Sequence, residues 1–323
     1  MRAAVVAQVG SPPGPAEFDE PRRDDGAALV SVAAAPLNPV EIRVAAGRHA
    51  RRAEPPYVPG LEGAGRVVES SRIPAGRRVR FESEALPGFG ARGTLAERAA
   101  VPEGSLVELP DAVNDELAAA LGVVGITALL ALERAAPRAG ERVLVLGATG
   151  AVGQMAVQLA RQMGARTVLA AGRDADRLAR ARELGADEVV ELGDGDPAEA
   201  FEHAAGGPLD VVVDPLWGEP AMAALRALAT EGRLVNIGQS AGIDVRLPLE
   251  LVRNRQGAIH AISSGWMSLE RKAAAYRTLL EHVTAGRLSV DLEVVPLERV
   301  AEAWERQEHS PGKKLVVSTA RGN

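Results

Sequence analysis

Cysteine is absent from the 323 residues. That excludes disulfides, thiol nucleophiles and thiolate-ligated zinc. Lysine is scarce: of 37 basic residues only three are lysines, a bias that fits a GC-rich genome and says nothing of function. An excess of positive charge is missing as well. The net charge is −6, which removes the electrostatic case for nucleic acid or an anionic membrane as partner. The N-terminus has no leader-like pattern, since Pro12-Pro13-Gly14-Pro15 interrupts it early. The longest apolar run, residues 117–132, contains Gly122, Gly125 and Thr127 and falls short of the roughly 20 residues a membrane span needs. A cytoplasmic protein with no membrane partner is expected. His203, His260, His282 and His309 show no metal-ligand spacing, so no metal site is expected.

What is present suits a globular chain: 46% hydrophobic and 25% charged residues, enough for about two domains. Residues 1–110 carry short apolar runs at 2–8, 27–34, 65–69, 77–81 and 95–101, separated by Gly and Pro clusters at 12–15 and 55–59. From about 140 the rhythm changes. Strands are expected at 143–146, 167–171, 188–191, 211–213, 234–237 and 258–262, with helices at 154–164, 176–184, 198–205 and 219–229 between them. Such alternation describes a doubly wound parallel sheet. After 263 a helix (268–286), a strand (292–295), a helix (298–307) and a last strand (314–317) follow. They bury too little to stand alone and are expected to complete the N-terminal domain.

The most informative stretch is Arg142-Val-Leu-Val-Leu-Gly-Ala-Thr-Gly-Ala-Val-Gly153. Four apolar residues in a row read as a strand buried on both faces. The strand runs into Gly147, Gly150 and Gly153 and then a helix. A glycine-rich turn at a helix N-terminus offers free N–H groups and the positive end of a dipole to a diphosphate. Gly147, Thr149, Gly150, Ala151, Val152 and Gly153 are therefore the expected cradle. The spacing is looser than the strict dinucleotide fingerprint, and a ligand-free turn is the competing reading. Twenty residues past Gly153 comes Arg173, with Arg177 one helical turn later. An acid at this place reads an NAD ribose, an arginine a 2′-phosphate. Two guanidinium groups suit a phosphate dianion, so NADP(H) is the expected cofactor, tempered by Asp174 and Asp176; solvated surface arginines are the alternative. Asp214, Asn236 and Gly238 end strands and are candidate crevice walls, Asp214-Pro215 equally an ordinary turn.

The chain resembles a medium-chain dehydrogenase/reductase of the zinc-independent quinone oxidoreductase (zeta-crystallin-like) branch. The landmarks are Leu37-Asn-Pro-Val-Glu-Ile42, Val58-Pro-Gly-Leu-Glu-Gly-Ala-Gly65, Ile126-Thr-Ala128, Gly147 to Gly153, Gly232-Arg-Leu-Val235 and Gly312-Lys-Lys-Leu-Val-Val317. The resemblance implies an α/β protein: a Rossmann domain for NADP(H) at 119–262 and a discontinuous, β-rich, GroES-like catalytic domain at 1–118 and 263–323. Zinc-dependent relatives carry Cys-His-Thr-Asp and Gly-His-Glu where this chain has Asn38-Pro39-Val40-Glu41 and Gly60-Leu61-Glu62. Without those ligands the chain lacks the means to lower an alcohol's pKa by zinc coordination, whereas hydride transfer to a conjugated acceptor stays feasible. Hydrogen-bond donors then stabilise the developing oxyanion.

Carried over from the family, Asn38 is the substrate-facing donor, with a turn residue before Pro39 as the alternative. Thr127 lies against the nicotinamide, or is a buried helix threonine. His49 stands two residues after Gly47, where relatives often carry a tyrosine, and is a protonatable candidate or a loop histidine. Tyr57 reads as structural. Lys313 reaches the cofactor or is solvated. The expected activity is an NADPH-dependent quinone or enone reductase acting on a small molecule, in a cleft shaped by residues 47–56 and 263–267. A biosynthetic enoyl-thioester or polyketide-ring reductase and a non-catalytic NADPH-binding protein, crystallin- or sensor-like, are the alternatives. Family habit adds a homodimer formed through the last Rossmann strand, 258–262.

Overall fold

The computed structural model describes residues 1–50, 53–83 and 92–319. The chain divides into two compact units: Met1–Val123, Met267–Ala285 and Val290–Asn323 form the first, Val124–Trp266 and Gly286–Ser289 the second. The first crossover thus falls five residues after the expected 118/119, inside the helix Asp115–Ala135, where Gly122 leaves helical geometry (φ −51°, ψ −105°). By length and composition this helix could cross a membrane, but 78% of its most apolar window is buried inside the protein. It is longer than the apolar run because charged Asp115, Glu116, Glu133 and Arg134 form its two ends.

In the second unit six strands form one all-parallel sheet. Their order is Glu188–Glu191, Thr167–Gly172, Arg142–Leu146, Leu209–Asp214, Leu228–Asn236 and Ala258–Ala261. Val143, Leu144, Val145 and Leu146 are all fully buried. Burying each such side chain favours folding by about 1.5–3 kcal/mol, against roughly 1–2 kcal/mol for fixing its backbone. An apolar run of this kind is therefore stable as a central strand. The strand order reverses beside it: the chain first steps outward twice, then returns to lay Leu209–Asp214 on the other side. The crevice at the carboxyl ends of the two central strands is where such sheets bind ligands.

Several boundaries differ from expectation, and the larger differences have local causes. The helix after the glycine turn spans Ala151–Gln162, not 154–164, because Gly153 lies within its first turn. Its apolar stripe holds: Met155 and Leu159 are buried, and Met163 is the C-cap. The helix Gly218–Arg226 ends before 229 because Leu228 already pairs with Leu209 in the sheet, well before the expected strand start at 234. Gly14–Glu17, which begins inside the loop expected at 12–15, pairs antiparallel with Arg2–Val5; its proline sits on a two-stranded edge where few N–H donors are needed.

The first unit is built on a seven-stranded sheet around the long strand Ala27–Pro36, whose residues alternate between half-buried and buried. Glu62–Glu69 and Arg98–Pro102 pair antiparallel with it. The C-terminal strand Lys314–Ser318 also pairs with it, placing Val316 opposite Pro36, and Leu292–Pro296 lies parallel outside. Arg78–Glu82 pairs antiparallel with Glu62–Glu69, setting Glu62 opposite Glu82 and Ala64 opposite Arg80. Phe81, Leu95, Leu315 and Trp304 are among the core residues.

Candidate active site

The two landmark motifs that lack zinc ligands are bonded to each other in the first unit. Asn38 is the N-cap of the helix Pro39–Ala45. Glu41, at N3, accepts the Asn38 backbone N–H (2.9 Å) on one carboxylate oxygen and the Leu61 N–H (2.7 Å) on the other, so a capping box also ties the turn to the second motif. Burial pushes the Glu41 carboxyl up to about 7, with nearby Glu62 adding to the effect and Lys314 and the two backbone N–H groups opposing it.

The Asn38 side chain is buried and its amide is held at both ends. Lys314 Nζ donates to Oδ1 at 2.6 Å, and Nδ2 donates to Glu62 Oε1 at 3.4 Å. Strand pairing accounts for the first contact: Leu37 N–H donates to the Leu315 carbonyl, which brings the start of the last strand beside Asn38. Lys314 Nζ also donates to the Leu37 carbonyl at 2.9 Å. Burial lowers the Lys314 pKa while Glu62 and Glu41 work to raise it. Glu62 Oε2 accepts from Arg80 (2.9 Å) and from the Val123 N–H (2.8 Å). A Cβ at Gly122 would lie 1.8 Å from that same oxygen, so the helix kink needs glycine to admit the carboxylate. Beyond it Arg80 pairs with Glu82 at 2.7 Å, and Glu82 bonds Lys272 of the helix Leu269–Thr284. Tyr276 on that helix places its ring 5.0 Å from the Arg80 guanidinium and donates to the Ala118 carbonyl. Tyr57, read as structural, is buried, and its hydroxyl has no partner among the described residues.

In the second unit the glycines divide the work of the turn. Gly147 has φ +59°. Gly153 lies where a Cβ would come within 2.3 Å of the Gly147 carbonyl, so helix and strand approach closely. At Gly150 a Cβ would meet nothing nearer than 3.5 Å. The helix Ala151–Gln162 has Gly150 as N-cap and no side-chain cap, leaving N–H groups for a ligand. Thr149 packs over Gly172, with Cγ2 2.7 Å from where a Cβ would be, and its carbonyl accepts from Gln154. Arg173 is exposed just past the strand Thr167–Gly172. Asp174 caps the helix Ala175–Glu183 through the Arg177 N–H and also pairs with the Arg177 guanidinium at 3.1 Å.

Thr127 is buried, and its hydroxyl lies 2.9 Å from that of Ser264. Asn236 spends its amide on Asp214 Oδ2 and the Gly238 carbonyl, each at 2.7 Å, which locks the strand ends. Asp214 further accepts the Leu216 and Trp217 N–H groups; burial raises its carboxyl against these three partners. His49 is half-buried in the turn after Gly47. Lys313 is exposed. Of the expected cleft loops, Arg51 and Arg52 lie outside the described residues, and Ser264–Trp266 is one 3-10 turn with Trp266 exposed. Asn38 and His49 belong to the first unit, Thr127 and the glycine turn to the second. Glu62, Arg80, Glu82, Lys272 and Lys314 were not foreseen as a cluster. Among the described residues no group of three His, Cys, Asp or Glu side chains could hold a metal.

Two family models match. Residues 24–111 fit an alcohol dehydrogenase GroES-like domain and residues 151–282 a zinc-binding dehydrogenase. The chain is similar to quinone oxidoreductase-like protein 2 of Bos taurus, with 31% identity over 98% of this chain and 92% of that one. It is 32% identical over 74% of its length to a phenolphthiocerol/phthiocerol polyketide synthase chain of Mycobacterium tuberculosis, of which it spans 11%. Among solved structures, the quinone oxidoreductase of Thermus thermophilus, determined also in complex with NADPH, matches with a TM-score of 0.81, 33% identity, and coverage of 98% of this chain and 100% of that one. With a parallel six-stranded sheet, a GroES-like unit and relatives of this kind, the chain belongs to the medium-chain dehydrogenase/reductase family and is a quinone oxidoreductase-like oxidoreductase.

Proposed function

We propose that this protein reduces quinones or α,β-unsaturated carbonyls with NADPH and without zinc. The observation that carries the reading is the buried Asn38 amide. Its Nδ2 has Glu62 as partner among the described residues, and an amide nitrogen carries two N–H groups, so one is left for a substrate oxygen. A neutral amide donates at every accessible pH, and in a buried setting one such donor stabilises an oxyanion strongly. When bound, NADPH supplies the hydride that an enone or quinone carbon accepts. The chain's own residues bind and orient: the turn from Gly147 to Gly153 takes the diphosphate, Thr127 contacts the nicotinamide end, and Asn38 holds the acceptor oxygen as charge develops on it.

The choice of NADPH is supported by the residues after Gly172. Asp174, the acid that could read a ribose hydroxyl, is committed to capping a helix and to Arg177, whereas Arg173 is exposed. Arg173→Glu is expected to raise KM for NADPH about 30-fold while changing KM for NADH about threefold or less, the range of a lost charged hydrogen bond to phosphate. Equal effects on both cofactors would remove Arg173 from the site. Homodimer formation through Ala258–Ala261 is part of the proposal, supported by that strand's place at the sheet edge, where it pairs with Leu228–Asn236 on one side.

The polyketide synthase relative favours a second reading, reduction of a biosynthetic enoyl thioester. Stopped-flow mixing of NADPH with a panel of quinones, simple enones and an enoyl thioester of N-acetylcysteamine tests both. Quinone or enone turnover faster than the thioester's supports the first, and the reverse order supports the second. Cofactor fluorescence enhancement with no turnover on any acceptor would sink both and leave a non-catalytic NADPH-binding protein.

A further inference from the structure

We propose that Lys314 and Glu62 are positioning residues that lock the Asn38 amide in its donating orientation, with Lys314 the stronger of the two. This rests on the role given to Asn38 above. An amide has two orientations that differ in shape by almost nothing, and only its partners distinguish them. Here the oxygen faces an ammonium at 2.6 Å and the nitrogen faces a carboxylate at 3.4 Å. Turning the group over would set NH2 against a cation and C=O against an anion, two repulsions in a water-poor interior where each is costly. The shorter contact is the one to Lys314, which makes it the main clamp. A cation on the oxygen also draws density from the amide and strengthens the N–H left for the substrate.

Each clamp is itself held. Lys314 is anchored by the Leu37 carbonyl. Glu62 is anchored by Arg80 and by the Val123 N–H, Arg80 by Glu82, and Glu82 by Lys272. Glu62 and Glu82 thus alternate with Arg80 and Lys272 along one chain of ion pairs that ends beside Asn38. The choice of residue supports the assignment. In a chain with only three lysines, at 272, 313 and 314, two belong to this network. A compact ammonium fits beside Asn38 where a guanidinium fork needs more room and more acceptors.

A double-mutant cycle on Asn38→Ala and Lys314→Met separates positioning from plain structural support. Lys314→Met is expected to lower kcat about tenfold with KM for NADPH changed about twofold or less, and to have almost no further effect on kcat once Asn38 is alanine. An equal loss in both backgrounds, or no loss in either, would overturn the proposal. A second readout does not depend on turnover. The chain has five asparagines, at 38, 114, 236, 254 and 323, so 15N-asparagine labelling gives five side-chain NH2 pairs. In Lys314→Met the Asn38 pair is expected to shift while the other four stay. An unmoved Asn38 pair overturns the clamp whatever the kinetics. If Asn38→Ala leaves kcat intact while the Asn38 pair shifts in Lys314→Met, the clamp stands and the catalytic role of Asn38 fails. Lys314→Gln, which keeps a neutral donor, serves if the methionine variant does not fold. The Asn38 pair should again shift, with a smaller loss of kcat, and the absence of both effects would overturn the proposal.

Discussion

Arg80→Leu is expected to destabilise the protein by about 3–5 kcal/mol at neutral pH, the cost of removing one partner from a buried ion pair. Arg80 is almost wholly buried and serves two carboxylates at once, Glu62 and Glu82, which strand register sets directly opposite each other. Leucine fills much of the volume, so the loss comes from stranded charge and not from a cavity. The pH dependence has a definite sign. Burial tends to raise the Glu82 carboxyl, but Arg80 and Lys272 outweigh it and hold it below its ordinary value. A carboxyl depressed on folding contributes stability above its unfolded pKa, about 4.3, and that contribution is lost as pH falls through the folded value. The gap between wild type and variant should therefore be widest near pH 7 and narrow below about pH 4.3. Urea denaturation followed by circular dichroism at about pH 7.5 and about pH 3, the second well below the unfolded carboxylate value, measures both limbs. Arg306→Leu is the control: Arg306 makes two 2.7 Å contacts to Glu293, but both side chains are substantially exposed, so less than about 1 kcal/mol is expected. A loss at Arg80 no larger than at Arg306 would mean that the network contributes little.

That network shows where sequence reasoning runs out. Val143 to Leu146 was legible because burial on both faces leaves a continuous apolar run, and two of the glycines after it are required by the backbone, Gly147 by its positive φ and Gly153 by its close approach to the Gly147 carbonyl. Asn38 was found through its motif. Its partners were not, for two physical reasons. Arg78-Val-Arg-Phe-Glu82 alternates charged and apolar residues, the local pattern of a strand with one wet face. Arg80 and Glu82 are buried because Lys272 and Tyr276 cover them from a helix about 190 residues further along, and no local pattern carries that. Adjacent lysines posed the second difficulty. Lys313 was read as a cofactor contact or a solvated lysine and is exposed, while Lys314 beside it was not singled out and is buried; in extended chain one residue of register exchanges the faces. Asn236 was legible as a strand-end residue in the crevice region, but its in-register partner Asp214 takes up its amide. The composition carries a trace of the network, since lysine is retained at 272 and 314 where arginine is otherwise the rule.

The glycine turn supplies the second large effect, as a contrast between two substitutions three residues apart. Gly153→Ala places a methyl where the Gly147 carbonyl would be 2.3 Å away and the Ala148 Cα 2.6 Å away. These are backbone atoms of the turn that follows the strand Arg142–Leu146 and cannot rotate aside, so the helix Ala151–Gln162 must shift away from it. A loss of about 3 kcal/mol or more is expected, toward the upper end for overpacking. Gly150→Ala meets only the Gly147 carbonyl at 3.5 Å, with φ −90° and ψ 163°, a conformation any residue adopts. Its stability should match wild type within about 0.5 kcal/mol. Yet Gly150 is the N-cap of a helix that no side chain caps, and a methyl there stands where a diphosphate would approach the free N–H groups. The dissociation constant for NADPH is therefore expected to rise about 30-fold in Gly150→Ala, or about 2 kcal/mol. Thermal denaturation of both variants, with titration of Gly150→Ala by cofactor fluorescence, reads the contrast. Gly150→Ala that binds NADPH like wild type would place the diphosphate elsewhere, and a stable Gly153→Ala would mean that the helix and strand tolerate more separation than their close approach implies.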